Sequence, residues 1–350
     1  MVKEYGYEYD ATLDEHLFRK TAGKVSTEKL FDAYCLRSGR DALKAIAKEY
    51  EPCVALLPAL ACDSMVHPFE LYHHRVKFYN LNPDFTIDLS SFEIGNDQIL
   101  FLYMDFFGKP SINDDDLEHL KEKGNIVFIE DRTHNLIWAR KSSFCPDFIM
   151  ASLRKWIPVP DGGLLWGKVT KKFQSDTSFS EKRLDAQCMR HEYLKTGNEN
   201  LKTEFRRVFS TVSEMMDNDE PSAMSAYSFS LAKRADWEFV RLRRRENATK
   251  LISILSSSPF INLIQNQSGC SDLYVAFTVP NRDEIQKQLA KEGIFNTIIW
   301  PLTEEQKRSS QTAKEVEGNM LAAPCDQRYT VEDMKYIGAR IVKVVADVNR

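Results

Sequence analysis

The chain has seven cysteines (Cys35, Cys53, Cys62, Cys145, Cys188, Cys270 and Cys325), an odd number, and none has a partner at CxxC spacing. That argues against a disulfide framework and for a reducing, cytoplasmic compartment in which thiols pack as small hydrophobes. No HExxH pattern occurs among the seven histidines, and the neighbours His73 and His74 do not face one ligand, so no metal site is expected. Long apolar runs are missing too. The densest, Ile99 to Met104, is far too short to span a bilayer, and the opening MVKEYGYEYD carries no apolar signal segment. No charge of one sign dominates. The 47 Lys and Arg against 51 Asp and Glu leave a net charge of −4. A chain so balanced has no bulk attraction for nucleic acid or an anionic membrane. Internal repeats and low-complexity segments are absent.

What is present is an ordinary globular composition, 43% hydrophobic and 28% charged, in a 350-residue chain long enough for a large core and about two domains. Short β-branched and aromatic runs predict strands at Val54–Leu57, Val76–Tyr79, Ile99–Met104, Ile126–Ile129, Phe148–Ala151 and Leu164–Trp166. They are apolar on both faces, as buried strands of a mostly parallel sheet are. Helical segments alternate with them; Asn113 caps one through Leu117 and Leu120 that stops at Gly124. This alternation predicts an α/β layered domain. Residues 170–220 read as polar helix and loop that cover a site or meet a partner subunit. Phe239 to Ile254 has helical spacing. Its RLRRREN stretch suggests a phosphate patch, but a solvated helix face beside Leu242 is the simpler account. A smaller α+β unit follows. It comprises a strand at Leu273–Val279, a helix capped by Asn281 through Ile285 and Leu289 to Gly293, and a strand at Ile294–Trp300. A last helix opens on a capping box of Thr330 and Asp333 and carries Ile337, Ile341, Val344, Val345 and Val348 on one face. The expected division is an N-terminal segment to residue 35, a large α/β domain over 36–235 and a small α+β domain over 236–350.

Three segments carry chemistry together. In Arg37-Ser38-Gly39-Arg40-Asp41, Ser38 reads as an N-cap with Asp41 as its reciprocal partner. Gly39 permits close backbone approach, and Arg40 adds a charge-assisted donor. A plain capped helix accounts for this segment equally well. In Ile126–His134, an apolar strand ends in Asp131 at the edge where open α/β sheets bind ligands. A carboxylate there holds a protonated ring nitrogen, with His134 three residues on; an ordinary loop-capping aspartate is the alternative. In Ala151–Trp156, a strand delivers Ser152 and Lys155. Lys155 lies among Trp156, Ile157 and Val159, where desolvation makes an amine a usable nucleophile. A phosphate cradle, a carboxylate for a ring nitrogen and a Schiff-base lysine are the needs of pyridoxal 5′-phosphate.

SGRDAL, LLPALACDS, LYMDFFGKP, EDRTHNL and SLRKW with its following DGG occur in the order found in fold-type-I pyridoxal-phosphate enzymes. The sequence most resembles the DegT-type aminotransferases of nucleotide-sugar biosynthesis. AMSAYS, RRRENATKL and IIWPL with LAAPCDQRY extend the resemblance over roughly residues 34–340. The resemblance implies a mostly parallel central sheet in a large domain, a small C-terminal domain and a homodimer. It implies Lys155 as the Schiff-base lysine, Asp131 as partner of the pyridine nitrogen and His134 beside the cofactor. Ser38, Gly39, Arg40 and Ser152 lie at the phosphate. It implies amino transfer from an amino acid, glutamate or glutamine, to a keto group such as that of a nucleotide-linked sugar. Three departures stand out: Arg40 in place of a small residue, Cys62 where many members have a ring-stacking aromatic, and no Asn-Tyr-Arg motif before Met224-Ser225. They keep open a non-catalytic binding or scaffold homologue; a lyase or aldolase using the same cofactor is a second alternative, while Lys155 argues against the related sugar dehydratases, which carry histidine there. Trp156 and Trp300 are expected in the core rather than in a substrate pocket.

Overall fold

The computed structural model describes residues 2–13, 15–18, 27–137, 142–264 and 271–350. Its strands are β1 (Tyr5–Gly6), β2 (Tyr34–Leu36), β3 (Val54–Pro58), β4 (Arg75–Tyr79), β5 (Ile99–Met104), β6 (Ile126–Asp131), β7 (Phe148–Ser152), β8 (Gly163–Trp166), β9 (Asn262–Leu263), β10 (Tyr274–Thr278), β11 (Ile294–Phe295) and β12 (Met320–Pro324). Its helices are α1 (Thr27–Leu30), α2 (Gly39–Ala47), α3 (Asp63–Leu71), α4 (Asp114–Lys123), α5 (Ser178–Thr196), α6 (Glu199–Asn218), α7 (Ala226–Arg234), α8 (Trp237–Leu255), α9 (Arg282–Lys291), α10 (Glu304–Ser309), α11 (Gln311–Asn319) and α12 (Val331–Val348).

The large sheet has seven strands in the order β2-β8-β7-β6-β5-β3-β4. The pairs from β7 through β6, β5 and β3 to β4 are parallel, and β8 runs antiparallel to both its neighbours. Since β8 opposes both β2 and β7, those two point the same way. The C-terminal ends of β2, β6 and β7 therefore share one edge of the sheet, and everything chemical in this chain follows from that. The predicted strands are all present, and β6 and β7 reach two and one residues further than their apolar runs, to Asp131 and Ser152. β5 is buried along its whole length, whereas β4 is a sheet edge with Arg75 and Lys77 exposed. Edge charges of that kind discourage pairing with a foreign strand.

Helix α4 is capped as its sequence indicates, with Asn113 Oδ1 accepting from Asp116 N–H at 2.7 Å. Residues 178–218 form a long hairpin of α5 and α6, with Gly197 in the left-handed conformation at the end of α5. Its polar sequence conceals a core of Phe179, Ala186, Tyr193, Phe205, Phe209, Val212 and Met216. The hairpin docks on α2 through cations spaced along one face. Arg37 reaches Asp219 and the Glu220 carbonyl, Arg40 reaches Asp217, and Lys48 reaches Glu220. The buried Lys44 Nζ donates to the carbonyls of Met216, Asp217 and Asp219 at 2.8, 2.8 and 2.7 Å. Cations there meet the negative end of the α6 dipole and its orphan carbonyls.

The C-terminal half packs α8, α9 and α12 against β10 and β12, with Ile337, Ile341, Val344 and Val345 buried and Val348 partly so. The Thr330–Asp333 capping box is present. Three expectations fail here. The Ile294–Trp300 strand shrinks to two residues paired with β1, because Thr297 leaves that partner for a single bridge to Ala322 of β12. Asn281 sits at the N-cap of α9 in the left-handed conformation, and its side chain bonds Asn349 instead of the helix. The third is Arg244 of RLRRREN, which is neither on a solvated face nor part of an open patch. Its guanidinium is buried and donates to the carbonyls of Lys155, Trp156, Asp272 and Leu273, to Gln327 and to the Tyr9 hydroxyl. Leu242 is the exposed residue of that stretch. Cys270 lies outside the described residues; the other six cysteines are free thiols.

Candidate functional site

At the shared edge a pocket opens between the ends of β6 and β7 and the start of α2. Its wall includes Gly39, Arg40, Asp131, His134, Ser152 and Lys155, six of the seven residues singled out in the sequence. The seventh, Ser38, is not on the wall. Its Oγ accepts the Asp41 N–H at 3.0 Å as the N-cap of α2. The reciprocal half of the expected box is missing, because the Asp41 carboxylate is taken by Arg37 at 2.7 and 3.1 Å. Arg40 lines the pocket, yet its Nη1 is held by Asp217 and by the Ser213 carbonyl at 3.3 Å.

Asp131 is the last residue of β6 and is buried. Burial raises its carboxyl above the usual range, against the pull of the Thr133 hydrogen bonds and the Lys155 charge. Thr133, which sequence reasoning passed over, organises the wall. Its N–H donates to Asp131 Oδ1 at 2.7 Å, its Oγ1 accepts the Ser152 N–H at 3.1 Å, and its carbonyl accepts the Trp156 indole N–H at 2.8 Å. A polar residue between two chemically marked positions was the available signal. Trp156 is thereby fixed in the core, as expected. Trp300, expected there as well, lies instead on the pocket wall, its ring 5.8 Å from that of His134.

The loop after β5 latches onto this wall. Asp105 accepts the Ser111 N–H and the Asn135 amide at 3.1 Å each, and the Phe107 N–H donates to His134 Nδ1 at 3.2 Å. His134 Nδ1 is thus an acceptor and Nε2 carries the hydrogen. Burial, reinforced by the Lys155 charge, keeps the imidazole neutral well below its ordinary pKa. These contacts account for LYMDFFGKP and EDRTHNL as a physical unit. DGG and AMSAYS form another: buried Asp161 accepts Ser225 N–H at 2.7 Å, Ser225 Oγ–H at 2.6 Å and the Ser228 hydroxyl. Asn247 and Gln327 join RRREN to PCDQRY, Gln327 also donating to the Trp156 carbonyl at 2.7 Å.

Lys155 follows β7 in a single 3-10 turn. Arg244 grips its carbonyl from behind at 3.2 Å, while its amine has no hydrogen-bond partner among the described residues and lines the pocket. Ser152 Oγ is likewise without a partner among them and sits beside Gly39, where an added Cβ would stand 3.4 Å from Ser152 Cβ. An unpartnered amine, a buried carboxylate, a hydroxyl and a glycine-lined helix start fit pyridoxal 5′-phosphate in kind and in placement. Cys62, half-buried with its Sγ 3.0 Å from Ser64 Oγ, lines the same wall. Among the described residues no cluster of His, Cys, Asp and Glu is arranged to hold a metal, and no helix is long and apolar enough to cross a membrane.

No family model and no curated protein sequence matches the chain. Solved structures do. It is similar to the Helicobacter pylori aminotransferase PseC, involved in the biosynthesis of pseudoaminic acid, at 14% identity and TM-score 0.66, covering 99% of this chain and 100% of that one. A DegT DnrJ EryC1 StrS aminotransferase from Brucella abortus matches at 14% identity and TM-score 0.59, over 89% and 86% of the two chains. NtdA from Bacillus subtilis, solved with bound cofactor PMP, matches at 13% identity and TM-score 0.64, over 93% and 78%. At such identities the likeness is one of architecture: from end to end, the chain has the mixed α/β fold of fold-type-I sugar aminotransferases of the DegT/DnrJ/EryC1/StrS type.

Proposed function

We propose that the protein is a pyridoxal 5′-phosphate-dependent aminotransferase. It moves an amino group from an amino acid, glutamate or glutamine, to a keto group on a nucleotide-linked sugar, as a cytoplasmic homodimer. The observation that carries this reading is the unpartnered Lys155 amine facing the same pocket as the buried carboxylate of Asp131. Similarity to an aminotransferase involved in the biosynthesis of pseudoaminic acid supports the substrate class. The division into an N-terminal segment, a large domain over 36–235 and a small domain over 236–350 belongs to the same reading.

When bound, the cofactor supplies an electron sink for the carbanion formed at the donor's α-carbon. The chain's residues do the rest. Asp131 accepts a hydrogen bond from a protonated ring nitrogen, and its charge keeps that proton in place; the Thr133 N–H fixes the carboxylate for the task. His134, neutral, presents Nε2–H to the pocket. Gly39, Arg40 and Ser152, on the same pocket wall, would hold the phosphate. Lys155 Nζ would hold the cofactor and, when free, would take the proton from the donor's α-carbon, a role that contributes typically ~10²–10⁴-fold.

The test is an absorbance spectrum before and after borohydride, with peptide mapping of the reduced adduct. The expected outcome is one adduct, on Lys155, absent in Lys155→Ala. An adduct on another lysine refutes the assignment. No adduct even with added cofactor favours the non-catalytic reading. Release of keto acid from the amino donor without ammonia or aldehyde separates amino transfer from lyase or aldolase chemistry.

A further inference from the structure

Arg154, one residue before Lys155, lines both the pocket at the sheet edge and a second cavity walled by Tyr7, Glu8 and Tyr9. Its side chain is half-buried with Nε out of water, yet it forms no ion pair with a carboxylate among the described residues. Its one recorded contact runs from Nη2 to Met216 Sδ at 3.6 Å, and its buried Nε–H has no acceptor. Neighbouring arginines differ. Arg183 holds Glu8 at 2.5 Å and Arg37 holds Asp41 at 2.7 Å. Arg40 is held through Nη1 by Asp217, but its Nε–H too is buried without an acceptor. Burial, then the like charge of Arg183 and, more weakly, of Arg40, push Arg154 down to about 9 against the pull of Glu8 and Asp161.

A guanidinium N–H cut off from water without an acceptor is costly, and an anion that accepts from it removes that cost. Around this one the structure gathers further unused donors: Arg40 Nε, Ser152 Oγ and the first-turn amides of α2, where Gly39 and Arg40 remain after Ser38 has taken Asp41 and Ala42. Glycine at position 39 keeps that turn open. Two guanidinium donors, a hydroxyl and a helix start suit an oxyanion carrying two charges.

We infer that Arg154 is a phosphate-binding residue for the cofactor, supplied in cis by the residue preceding the Schiff-base lysine. This rests on the pyridoxal-phosphate reading above. It also explains why an unpaired arginine sits where a smaller neutral residue would cost less.

The experiment compares pyridoxal 5′-phosphate with pyridoxal, which lacks only the phosphate, by fluorescence titration of the full-length apoprotein. Arg154→Gln is expected to weaken pyridoxal phosphate about tenfold to a hundredfold, the worth of charge-assisted hydrogen bonds. Pyridoxal affinity stays unchanged, and Arg154→Lys recovers part of the loss. A second readout is thermal melting without cofactor: Arg154→Gln melts no lower than the wild type, and the stabilisation given by inorganic phosphate is lost. Equal effects on both cofactors, or on neither, overturn the inference. So does a loss confined to a nucleoside diphosphate, which would assign Arg154 to a substrate phosphate. If the wild type takes up neither pyridoxal phosphate nor pyridoxal, the functional reading falls, and the phosphate melting shift decides the anion site by itself.

Discussion

Gly39 on the pocket wall and Gly163 behind it are expected to behave in opposite ways when changed to alanine. Gly163 opens β8, squeezed between β2 and β7, and a Cβ there would lie 2.2 Å from the backbone C and O of Ser38 and 2.6 Å from Gly39 N. Ordinary Cβ contacts begin at 3.4 Å, so the strand and the start of α2 must part by roughly 1 Å. Neither side can give. Gly163 is in register with both Leu36 and Ser152, and the preceding Gly162 N–H bonds the Arg37 carbonyl at 2.6 Å. Overpacking side chains costs about 1–3 kcal/mol, and two backbones in collision belong at or above the top of that range, about 3 kcal/mol. With an unfolding entropy of about 2.1 cal/mol/K per residue, the chain loses about 4 °C of Tm. Pyridoxal phosphate affinity should fall with it, since the displaced segment is the floor of the pocket.

At Gly39 the added Cβ meets Met150 Cε at 2.9 Å, the free end of a flexible side chain, and then Ser152 Cβ at 3.4 Å. The methionine can move, and alanine early in a helix is worth about 0.5–1 kcal/mol over glycine. Gly39→Ala is therefore expected to melt within about 1 °C of the wild type. It should still bind pyridoxal phosphate more weakly, because the methyl fills the cradle. Melting of the apoproteins and titration with the cofactor read the two effects separately. A Gly163→Ala protein as stable as the wild type, or a Gly39→Ala protein less stable than Gly163→Ala, refutes the packing argument.

Lys44→Met keeps the buried stem but leaves the carbonyls of Met216, Asp217 and Asp219 without their shared donor. The loss, offset in part by a buried charge removed, is expected at about 3 kcal/mol, with earlier proteolysis of the α5–α6 hairpin; an unchanged melting point would show that water replaces the ammonium. The neutral His134 gives a pH signature. Its folded-state pKa lies below the unfolded 6.5, so its stabilisation is complete above about pH 6.5 and is lost as the unfolded chain takes up a proton below it, at up to about 1.4 kcal/mol per pH unit. His134→Gln should flatten the fall in Tm between about pH 6.5 and 5.5 relative to the wild type, and parallel curves would refute the assignment of that limb to His134.

How much of this was open to sequence reading depends on where each residue's partners lie. The central strands are legible because β5 and β6 are buried on both faces, so burial and apolar character coincide residue by residue. Asp131 and Ser152 are legible because a strand puts its last residue at a sheet edge whatever else the fold does. The α5–α6 hairpin is not. Its apolar residues are diluted by Arg183, Gln187 and Arg190, which are buried yet look like surface. Arg244 misleads in the same way: its acceptors are backbone carbonyls of Lys155, Trp156, Asp272 and Leu273, and a carbonyl has no letter in the sequence.

The cationic face of α2 shows what decides between structure and chemistry at this edge. Arg37, Arg40, Lys44 and Lys48 recur at helical spacing, and all four bond the end of α6 or the residues just after it, with only Arg40 Nε left over. A helix start flanked by four cations resembles an anion site, but three of the four have carboxylate partners and Lys44 has its carbonyls. Arg40 alone reaches the pocket wall, already neutralised by Asp217. The positive charge still open at this edge comes from the other side of the pocket, from Arg154 and Lys155 on the turn after β7. α2 therefore supplies backbone geometry, an open first turn held rigidly against the hairpin, and the β7 turn supplies charge and the nucleophile. Because Gly163 joins the two by packing β8 against Ser38, a shift on either side misaligns the other, and binding of an anion and placement of the Lys155 amine are expected to fail together when that joint is disturbed.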